Sequence, residues 1–403
     1  MRKVLSSIAA GALLAFAAGG AIAQDKIKIG YAVSMTGPNA PGAGITTIPN
    51  YKLWIHDIEA AGGLMLGGKR VPVEVVTYDD QSSNEELIKA AERLINEDKV
   101  DILLSPWGTG MNLAVGPTFN KYGRPHMAAT AATDMAYELG QRWPNSFWML
   151  GTSTQGANAL VEVLNKLKAA GKINNKIAMV SVADAFGIEL SNAARPALAK
   201  AGFDLAMDES YPITTQDFSP LINSAKASGA DTFVAFSYPP DTFGLTGASI
   251  ALNYNPPAFY TAVGTAFPVF KQLFGPNVDG VLGVGGVNPD DPKIQAYMKR
   301  HLEVTGQEAD SWASPVTYAS LEILQQAIEK VGKIDNEAII KEIQTGTFDT
   351  VIGPVKFDKN VNPVVWWAGQ WQGDKFYGLA PSSMAGAKEP IAPKPAWKPA
   401  PPK

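Results

Sequence analysis

Short apolar runs alternate along the chain with segments whose apolar residues recur every three or four positions. Residues 26–33 have the sequence KIKIGYAV, which is typical of a strand, and residues 71–78 and 101–105 have the same character. Ser83 and Glu86 stand at the spacing of a helix N-cap, and the apolar residues at 87–95 then fall on one helical face. Repeated strand–helix–strand units predict parallel sheets covered by helices on both faces.

The alternation restarts near residue 145, which predicts an α/β fold made of two doubly wound lobes, each with its own parallel sheet. The predicted strands lie at 26–33, 71–78, 101–105, 125–128, 146–150, 176–182, 203–211, 231–236, 258–262 and 281–284, with short strands within 348–357, 364–370 and 375–378. The predicted helices lie at 44–61, 87–95, 111–122, 155–170, 187–201, 217–228, 242–252, 293–305, 315–331 and 336–345.

Both ends of the chain have a distinct composition. Two basic residues, an apolar run at 4–16 and the small-x-small pattern Ala21-Ile22-Ala23 predict a secretory signal peptide over residues 1–23, with Gln24 as the mature N-terminus and the periplasm as the location. A membrane anchor is the alternative, but this run is short for a span of about 20 residues. Residues 380–403 are rich in Pro, Ala and Lys, which predicts an extended, mobile and disordered tail.

Composition narrows the function classes. The chain has no cysteine, so its stability must come from its core, and thiol catalysis is excluded. A net charge of −4 gives no clustered basic surface for nucleic acid or for a membrane face. With 46% hydrophobic and 18% charged residues, the chain has the balance of an ordinary globular protein. We expect a monomer.

Three loops that follow predicted strands are small, hydroxylated and rich in glycine. They lie at residues 34–42, 106–110 and 129–133. Ligands of open parallel sheets bind at the carboxyl ends of the strands, where such loops present backbone N–H groups and hydroxyls near helix N-termini. Simple turn chemistry explains any one loop by itself, but the set of three favours a site for a carboxylate or another anion.

Catalytic and cofactor motifs find little support. The GxG segments at 42–44 and 108–110 lack a third glycine at dinucleotide-binding spacing, and there is no P-loop and no GxSxG motif. His56, His126 and His301 are far apart, so no metal site is predicted. We expect His56 and His301 on helix surfaces and His126 in a structural role. Asp79-Asp80 is interpreted as a turn, since no acid–base partner is identifiable. No cofactor is predicted.

Four aromatic residues stand just after predicted strands, where rings can form the wall of a ligand cleft. Interior packing is the alternative for each ring taken alone. These residues are Trp107, Phe186, Tyr238 and Phe267.

The order and spacing of several short motifs resemble one known family. It is the periplasmic binding proteins of branched-chain amino acid type transporters, the leucine/isoleucine/valine-binding class, and the resemblance covers nearly the whole mature chain. The motifs are MTGP at 35–38, AAGG at 60–63, YDD at 78–80, AATA at 128–131, FG at 186–187, TQDFSP at 215–220 and VIGP at 351–354.

The resemblance implies a type I periplasmic binding fold, with two lobes joined by three crossings and a ligand cleft that closes by hinge motion. By that analogy, residues 24–147 and 283–351 form the first lobe. Residues 148–282 and 353–379 form the second. The implied partner is an inner-membrane ABC permease.

The family's ligand residues map onto positions that keep their chemical type. The two carboxylate-binding loops and the aromatic wall of the second lobe are retained, so the resemblance implies a ligand that bears a carboxylate. The positions are Thr109, Gly110, Ala128, Ala129, Thr130, Phe186 and Tyr238.

Two departures concern the body of the ligand. Amino-acid binders of the family place an acidic residue where Val263 stands here, and a buried ammonium group without a charged partner would cost several kcal/mol. Gly42 replaces a tyrosine common in those binders, which leaves room that Trp107 can reshape. Both departures favour an aromatic or other apolar acid, whose body would pack on Trp107, Phe186, Tyr238 and Phe267.

The predicted function is therefore the capture of a small carboxylate, with an aromatic acid preferred, for an ABC-type importer. One alternative is an amino-acid or amide binder that uses Asp184 to pair with an ammonium group. Another is a module that passes a ligand signal to a membrane receptor, which the chain itself does not distinguish from transport. A secreted enzyme would need a nucleophile–base pair or a metal cluster, and the sequence shows neither.

Overall fold

The computed structural model describes residues 26–398, and the predicted signal peptide lies outside them. Within these residues, no helix has the length and apolar character that a membrane crossing needs.

The strands follow the predicted alternation closely. They are β1 (Ile27–Val33), β2 (Leu64–Leu66), β3 (Lys69–Val71), β4 (Val73–Asp79), β5 (Ile102–Leu104), β6 (His126–Ala128), β7 (Ser146–Trp148), β8 (Lys176–Val182), β9 (Asp204–Tyr211), β10 (Thr232–Phe236), β11 (Ala258–Thr261), β12 (Leu282–Val284), β13 (Phe348–Thr350), β14 (Gly353–Val355), β15 (Ala368–Gln372) and β16 (Lys375–Ala380).

The helices occupy the segments between them. They are α1 (Ala40–Thr46), α2 (Ile48–Ala60), α3 (Asn84–Asn96), α4 (Thr109–Lys121), α5 (Ala136–Arg142), α6 (Ser153–Ala169), α7 (Ala185–Lys200), α8 (Ser219–Ala227), α9 (Pro239–Ala251), α10 (Pro268–Phe274), α11 (Pro292–Thr305), α12 (Ala313–Val331) and α13 (Asn336–Thr345).

Parallel pairing dominates both halves of the molecule, so the predicted α/β class is confirmed. In the first half, β1 lies between β4 and β5, and β6 pairs with β7. In the second half, seven strands have the order β16-β15-β12-β11-β10-β8-β9, and β15 and β16 join antiparallel at one edge. The central strands are apolar along their whole length because helices cover both faces, and every residue of β10 is buried.

The helix starts follow the capping chemistry of the sequence. The side chain of Ser83 accepts a hydrogen bond from the Glu86 backbone N–H at the start of α3. Thr152 and Gln155 form a complete capping box at the start of α6, where the chain enters the second half.

Some short elements were not predicted. The β2–β3 hairpin and the seven-residue helices α5 and α10 have too few residues to show a period. The predicted helix at 44–61 is two helices. The first begins at Ala40, with Pro41 in its opening turn, where a missing N–H costs nothing.

Two of the segments that cross between the lobes hydrogen-bond to each other at the hinge. The Trp148 N–H donates to the Asn360 carbonyl at 2.8 Å, and the Asn362 N–H donates to the Trp148 carbonyl at 3.0 Å. Two strand pairings lie next to the predicted lobe boundaries, which stay a prediction. Gly283 pairs with Thr261 inside the seven-stranded sheet, and β14 pairs with β13 beside α12 of the first lobe.

After Ala380 the described part of the tail forms no helix or strand, and residues 381–398 pack along the second lobe. The Trp397 indole N–H donates to the Tyr254 carbonyl at 2.6 Å, and its ring lies 5.3 Å from that of Phe259. The Lys394 N–H donates to the Pro257 carbonyl at 2.9 Å. Within a segment rich in Pro, Ala and Lys, Trp397 is therefore an aromatic anchor that attaches the tail to the second lobe.

Lys394 is the one buried lysine among residues 26–398, at 2% exposure. Its ammonium group lies 3.1 Å from the centroid of the Trp397 ring and contacts the Asn255 side-chain oxygen and the Pro395 carbonyl, all of which are uncharged. Burial lowers the pKa of Lys394 to about 7.

The buried lysine predicts a pH-dependent stability. The unfolded chain keeps the lysine proton up to about pH 10.4, whereas the folded chain releases it above about pH 7, so the free energy of unfolding should rise with pH in this window. We expect up to about 1.4 kcal/mol per pH unit between pH 7 and 9 by chemical denaturation. Lys394→Met should remove this slope, and the exposed control Lys398→Met should keep it. Parallel profiles for the two variants would contradict the assignment.

Candidate functional site

Two loops of the first lobe are joined by hydrogen bonds between hydroxyls and backbone. The Gly108 N–H donates to Thr130 Oγ1 at 2.9 Å, and the Ala132 N–H donates to Thr109 Oγ1 at 3.2 Å. Gly108 precedes α4 with a φ of 93°, and no side chain caps the helix. Each hydroxyl acts as an acceptor here, so its own hydrogen is not used in these two hydrogen bonds.

A buried histidine is linked to the start of α4 through the side chain of Asn112. His126 Nε2 lies 3.0 Å from Asn112 Oδ1, and its Nδ1 lies 3.0 Å from Ser146 Oγ. The Asn112 side chain in turn donates to the Gly108 carbonyl at 2.8 Å. Burial lowers the pKa of His126 to about 3, so the ring is neutral at physiological pH. The contacts agree with the structural role predicted for His126.

Three of the predicted aromatic residues meet between the lobes. The Trp107 ring lies 5.3 Å from the Tyr238 ring, and Tyr238 stacks on Phe186 at 5.3 Å with an interplanar angle of 18°. All three side chains are less than 5% exposed. Trp107 belongs to the first lobe and the other two to the second, so the rings form an apolar contact across the cleft.

Asp184 has a structural role at the start of α7. Its Oδ1 accepts the Gly187 N–H at 3.0 Å, and its Oδ2 accepts the Tyr238 hydroxyl at 2.7 Å. Burial raises the pKa of Asp184, and these hydrogen bonds oppose the rise. Each oxygen of Asp184 therefore accepts one hydrogen bond from the second lobe.

A second buried carboxyl group, that of Asp241, hydrogen-bonds to the backbone of Tyr238. Asp241 Oδ2 accepts the Tyr238 N–H at 3.2 Å and the Tyr211 hydroxyl at 3.2 Å. Burial raises the pKa of Asp241 to about 6. Its polar contacts orient Tyr238 at the cleft.

The remaining predicted residues are buried or lie close to the other lobe. Val263 is buried, and its N–H donates to the carbonyl of Ser237, the neighbour of Tyr238, at 3.0 Å. Ala128 and Ala129 are buried at the end of β6. A Cβ added to Gly110 would lie 3.7 Å from Ala185 of the other lobe. Phe267 is buried at the start of α10, and no ring pair joins it to the three rings among residues 26–398.

Two histidine predictions have different outcomes. His56 is exposed on α2, as predicted. The prediction of a surface His301 is wrong, because His301 is fully buried and its Nδ1 lies 2.8 Å from the Gln307 carbonyl. In residues 26–398 no group of three or more His, Cys, Asp and Glu side chains is arranged to hold a metal ion.

A carboxylate that the sequence analysis did not single out connects the lobes. Glu189 of α7 accepts the Thr133 hydroxyl at 2.7 Å and the Asp134 N–H at 3.1 Å, both from the first lobe. Ser153 Oγ lies 3.4 Å from the same carboxylate. Asp134 in return accepts the Thr154 N–H at 2.7 Å at the start of α6. A lone glutamate in a helix carries no local pattern that reveals such contacts.

A sequence model described as periplasmic binding protein matches residues 26–375. A Leu/Ile/Val-binding protein homolog 7 from Brucella suis is 26% identical over 403 residues, which cover 96% of this chain and 98% of the relative.

Two solved structures are similar in fold. The solute-binding protein of an ABC transporter from R. palustris in complex with benzoate has a TM-score of 0.76 and 20% identity, with 91% of this chain and 99% of that chain covered. Another from R. palustris, in complex with 4-hydroxybenzoate, has a TM-score of 0.74 and 23% identity, with 93% and 99% covered.

The contact between α1 and Trp107 predicts that Gly42 tolerates no side chain. An added Cβ would lie 2.1 Å from Trp107 Cζ2, whereas a Cβ on Gly44 of the same helix would meet no atom within 4 Å. We expect Gly42→Ala to lower the free energy of unfolding by about 1–3 kcal/mol, because the indole must move. Gly44→Ala should be neutral or stabilising by up to about 1 kcal/mol. Equal effects in urea denaturation would show that the Trp107 ring is free to shift.

Proposed function

The chain belongs to the periplasmic binding protein family, and from that premise we propose that it captures a small carboxylic acid, with an aromatic acid preferred, for an ABC-type importer. The family consists of binding proteins and not of enzymes, in agreement with the sequence-based expectation. The observation that carries the proposal is the contact of Trp107, Phe186 and Tyr238 across the cleft.

The three rings offer an apolar surface to the body of a ligand. Trp107 comes from one lobe and Tyr238 from the other, so opening of the hinge would separate their rings and admit a planar molecule. Aromatic pairs in offset or tilted geometry gain about 0.5–1.5 kcal/mol beyond the burial of their area. A benzoate-like ring would replace part of the contact that the two lobes make with each other.

The carboxylate would bind at the start of α4. The backbone N–H groups of the first helical turn have no partner within the helix, and the positive end of the helix dipole favours an anion there. The hydroxyl oxygens of Thr109 and Thr130 accept hydrogen bonds from backbone N–H groups. The hydrogen of each hydroxyl would then be donated to the ligand. Gly110 faces Ala185 closely, which allows the second lobe to close over this end.

An ammonium group would find no free carboxylate among the residues assigned to the site. Val263 is apolar, and the oxygens of Asp184 and Asp241 that face Tyr238 already accept hydrogen bonds. Benzoate and 4-hydroxybenzoate are the ligands named for two proteins of the same fold, which supports the aromatic-acid proposal.

Binding specificity gives the first prediction of function. We expect the purified protein, refolded after denaturation to remove carried-over ligand, to bind benzoate or 4-hydroxybenzoate in calorimetric titration with a Kd of micromolar or tighter. Leucine, valine and an uncharged amide should give no heat of binding, because the amino acids carry an unpaired ammonium group and the amide lacks the carboxylate. Tight binding of leucine with no response to the aromatic acids would overturn the proposal in favour of an amino-acid binder.

The contacts of Glu189 predict a role in holding the lobes together around the ligand. Glu189→Gln keeps the shape of the side chain but removes the charge that strengthens the Thr133 and Asp134 hydrogen bonds. We expect affinity for the aromatic acid to fall by about 3- to 30-fold, mainly through faster dissociation in stopped-flow measurements.

Glu209→Gln is the matched control, since Glu209 is exposed on β9 of the same lobe and the charge change is identical. It should leave the dissociation rate unchanged. A Glu189→Gln protein with reduced thermal stability but an unchanged dissociation rate would assign Glu189 to folding alone.

A further inference from the structure

A chain of three fully buried polar side chains lies next to the loop that precedes α4. Ser146 Oγ lies 3.0 Å from His126 Nδ1, and His126 Nε2 lies 3.0 Å from Asn112 Oδ1. The amide nitrogen of Asn112 then donates to the Pro106 carbonyl at 3.1 Å and to the Gly108 carbonyl at 2.8 Å. All three side chains are 0–2% exposed, and each of their polar atoms has a partner within the chain.

The two carbonyl groups at the end of this network allow one arrangement of its hydrogens. A carbonyl oxygen can only accept a hydrogen bond, so the amide nitrogen of Asn112 must face the two carbonyls and its Oδ1 must face His126. His126 Nε2 therefore carries a hydrogen. Because burial lowers the pKa of His126 to about 3, the ring is neutral, and its Nδ1 accepts a hydrogen bond from the Ser146 hydroxyl.

Aromatic packing holds the imidazole ring in this orientation. The Phe119 ring lies 4.5 Å from it at an interplanar angle of 33°, and the Trp148 ring lies 6.2 Å from it in an edge-on arrangement. Phe119 belongs to α4 itself, and Trp148 belongs to β7, which pairs with the strand of His126. The direction of the hydrogen bonds is therefore fixed by packing as well as by the carbonyl groups.

Asn112 fixes the backbone on both sides of Trp107, because it binds the carbonyl groups of the residues before and after it. In a planar trans peptide the N–H points opposite to the carbonyl. A Gly108 carbonyl turned toward Asn112 therefore turns the Thr109 N–H outward from the start of α4. The same contacts set the direction in which the Trp107 side chain leaves the backbone to reach the Tyr238 ring at 5.3 Å.

Gly108 makes this support necessary. Its φ of 93° lies outside the helical region, and glycine has more backbone freedom than any other residue. A Cβ on Gly108 would meet no atom within 4 Å, so the surrounding space does not restrain the loop. Hydrogen bonds must do so instead, from Asn112 to the Gly108 carbonyl and from the Gly108 N–H to Thr130 Oγ1.

We propose that His126 and Asn112 are positioning residues of the cleft, which orient the Thr109 N–H toward the carboxylate of the ligand and the Trp107 ring toward its body. This role rests on the proposed function, because it takes the start of α4 as the carboxylate site. Without the histidine donor, the Asn112 amide can rotate, and two backbone carbonyls lose their fixed direction. A hydrogen bond weakens steeply with its angle, so the ligand loses affinity although no residue that touches it has changed.

The test combines calorimetric titration of benzoate into the full protein with nitrogen-15 NMR of its histidine rings. We expect His126→Phe, which keeps a ring and removes both hydrogen bonds, to weaken benzoate binding by about 10- to 100-fold. His126→Gln supplies one donor and one acceptor and should restore most of the affinity. His301→Phe is the matched control, since His301 is also fully buried but hydrogen-bonds to the Gln307 carbonyl beyond the end of its own helix. It should lower thermal stability and leave benzoate affinity unchanged.

The spectrum of the ligand-free protein tests the network by itself. His126 should show a protonated Nε2 and an unprotonated Nδ1 from about pH 5 to 8, where an ordinary histidine titrates. The opposite tautomer, or equal benzoate affinity in the His126→Phe and unaltered proteins, would overturn the positioning role. If His126→Phe does not fold, the affinity of Asn112→Leu, which has a similar volume and no donor, relative to His301→Phe decides the outcome.

Leucine separates this inference from the proposed function. A protein that binds leucine and not benzoate would refute the aromatic-acid proposal, and His126→Phe should then weaken leucine binding instead, since leucine also bears a carboxylate. Binding of neither molecule would overturn both proposals. Benzoate binding that is insensitive to His126→Phe would overturn the positioning role alone.

Discussion

Parallel strand pairing is the constraint on which the rest of this structure depends. It puts the carboxyl ends of β1 and β5 at one edge of the first lobe and those of β8, β10 and β11 at one edge of the second. Hydrogen bonds between the loops after β5 and β6 bring the end of β6 to the same place. Residues as distant in sequence as Trp107 and Tyr238 then face each other across one cleft. Loops rich in glycine and hydroxyl groups stand there because helices must begin immediately after the strands.

The buried polar side chains around the cleft form hydrogen bonds with one another and with the backbone. Asp184 caps a helix and holds the Tyr238 hydroxyl, and Asp241 holds the Tyr238 backbone. The neutral His126 holds the start of α4 through Asn112. Under the proposed function, helix N–H groups and threonine hydroxyls would bind the carboxylate of the ligand. Such a surface suits an anion with an apolar body better than a zwitterion.

The hinge differs from the cleft in its residue types, since glycines and tryptophans predominate there. Crossing segments hydrogen-bond to each other at Trp148 and Asn360, and glycines let the third crossing pass close to Trp312. Tryptophans fill the space between the segments, and the tail continues from there along the second lobe to its anchor at Trp397. Rigid aromatic packing beside glycine backbone is suited to a joint that moves between two defined arrangements.

The sequence by itself determined the alternation of strands and helices, the α/β class and the positions of the cleft loops, because hydrophobic period and capping chemistry act over a few neighbouring residues. The aromatic residues after the strands were identified in the same way. Only the tertiary structure decided that Glu189 reaches Thr133, that His301 is buried, that Asp184 accepts the Tyr238 hydroxyl and that Trp397 anchors the tail. These contacts join residues far apart in the chain, and no local pattern records which distant group a side chain will meet.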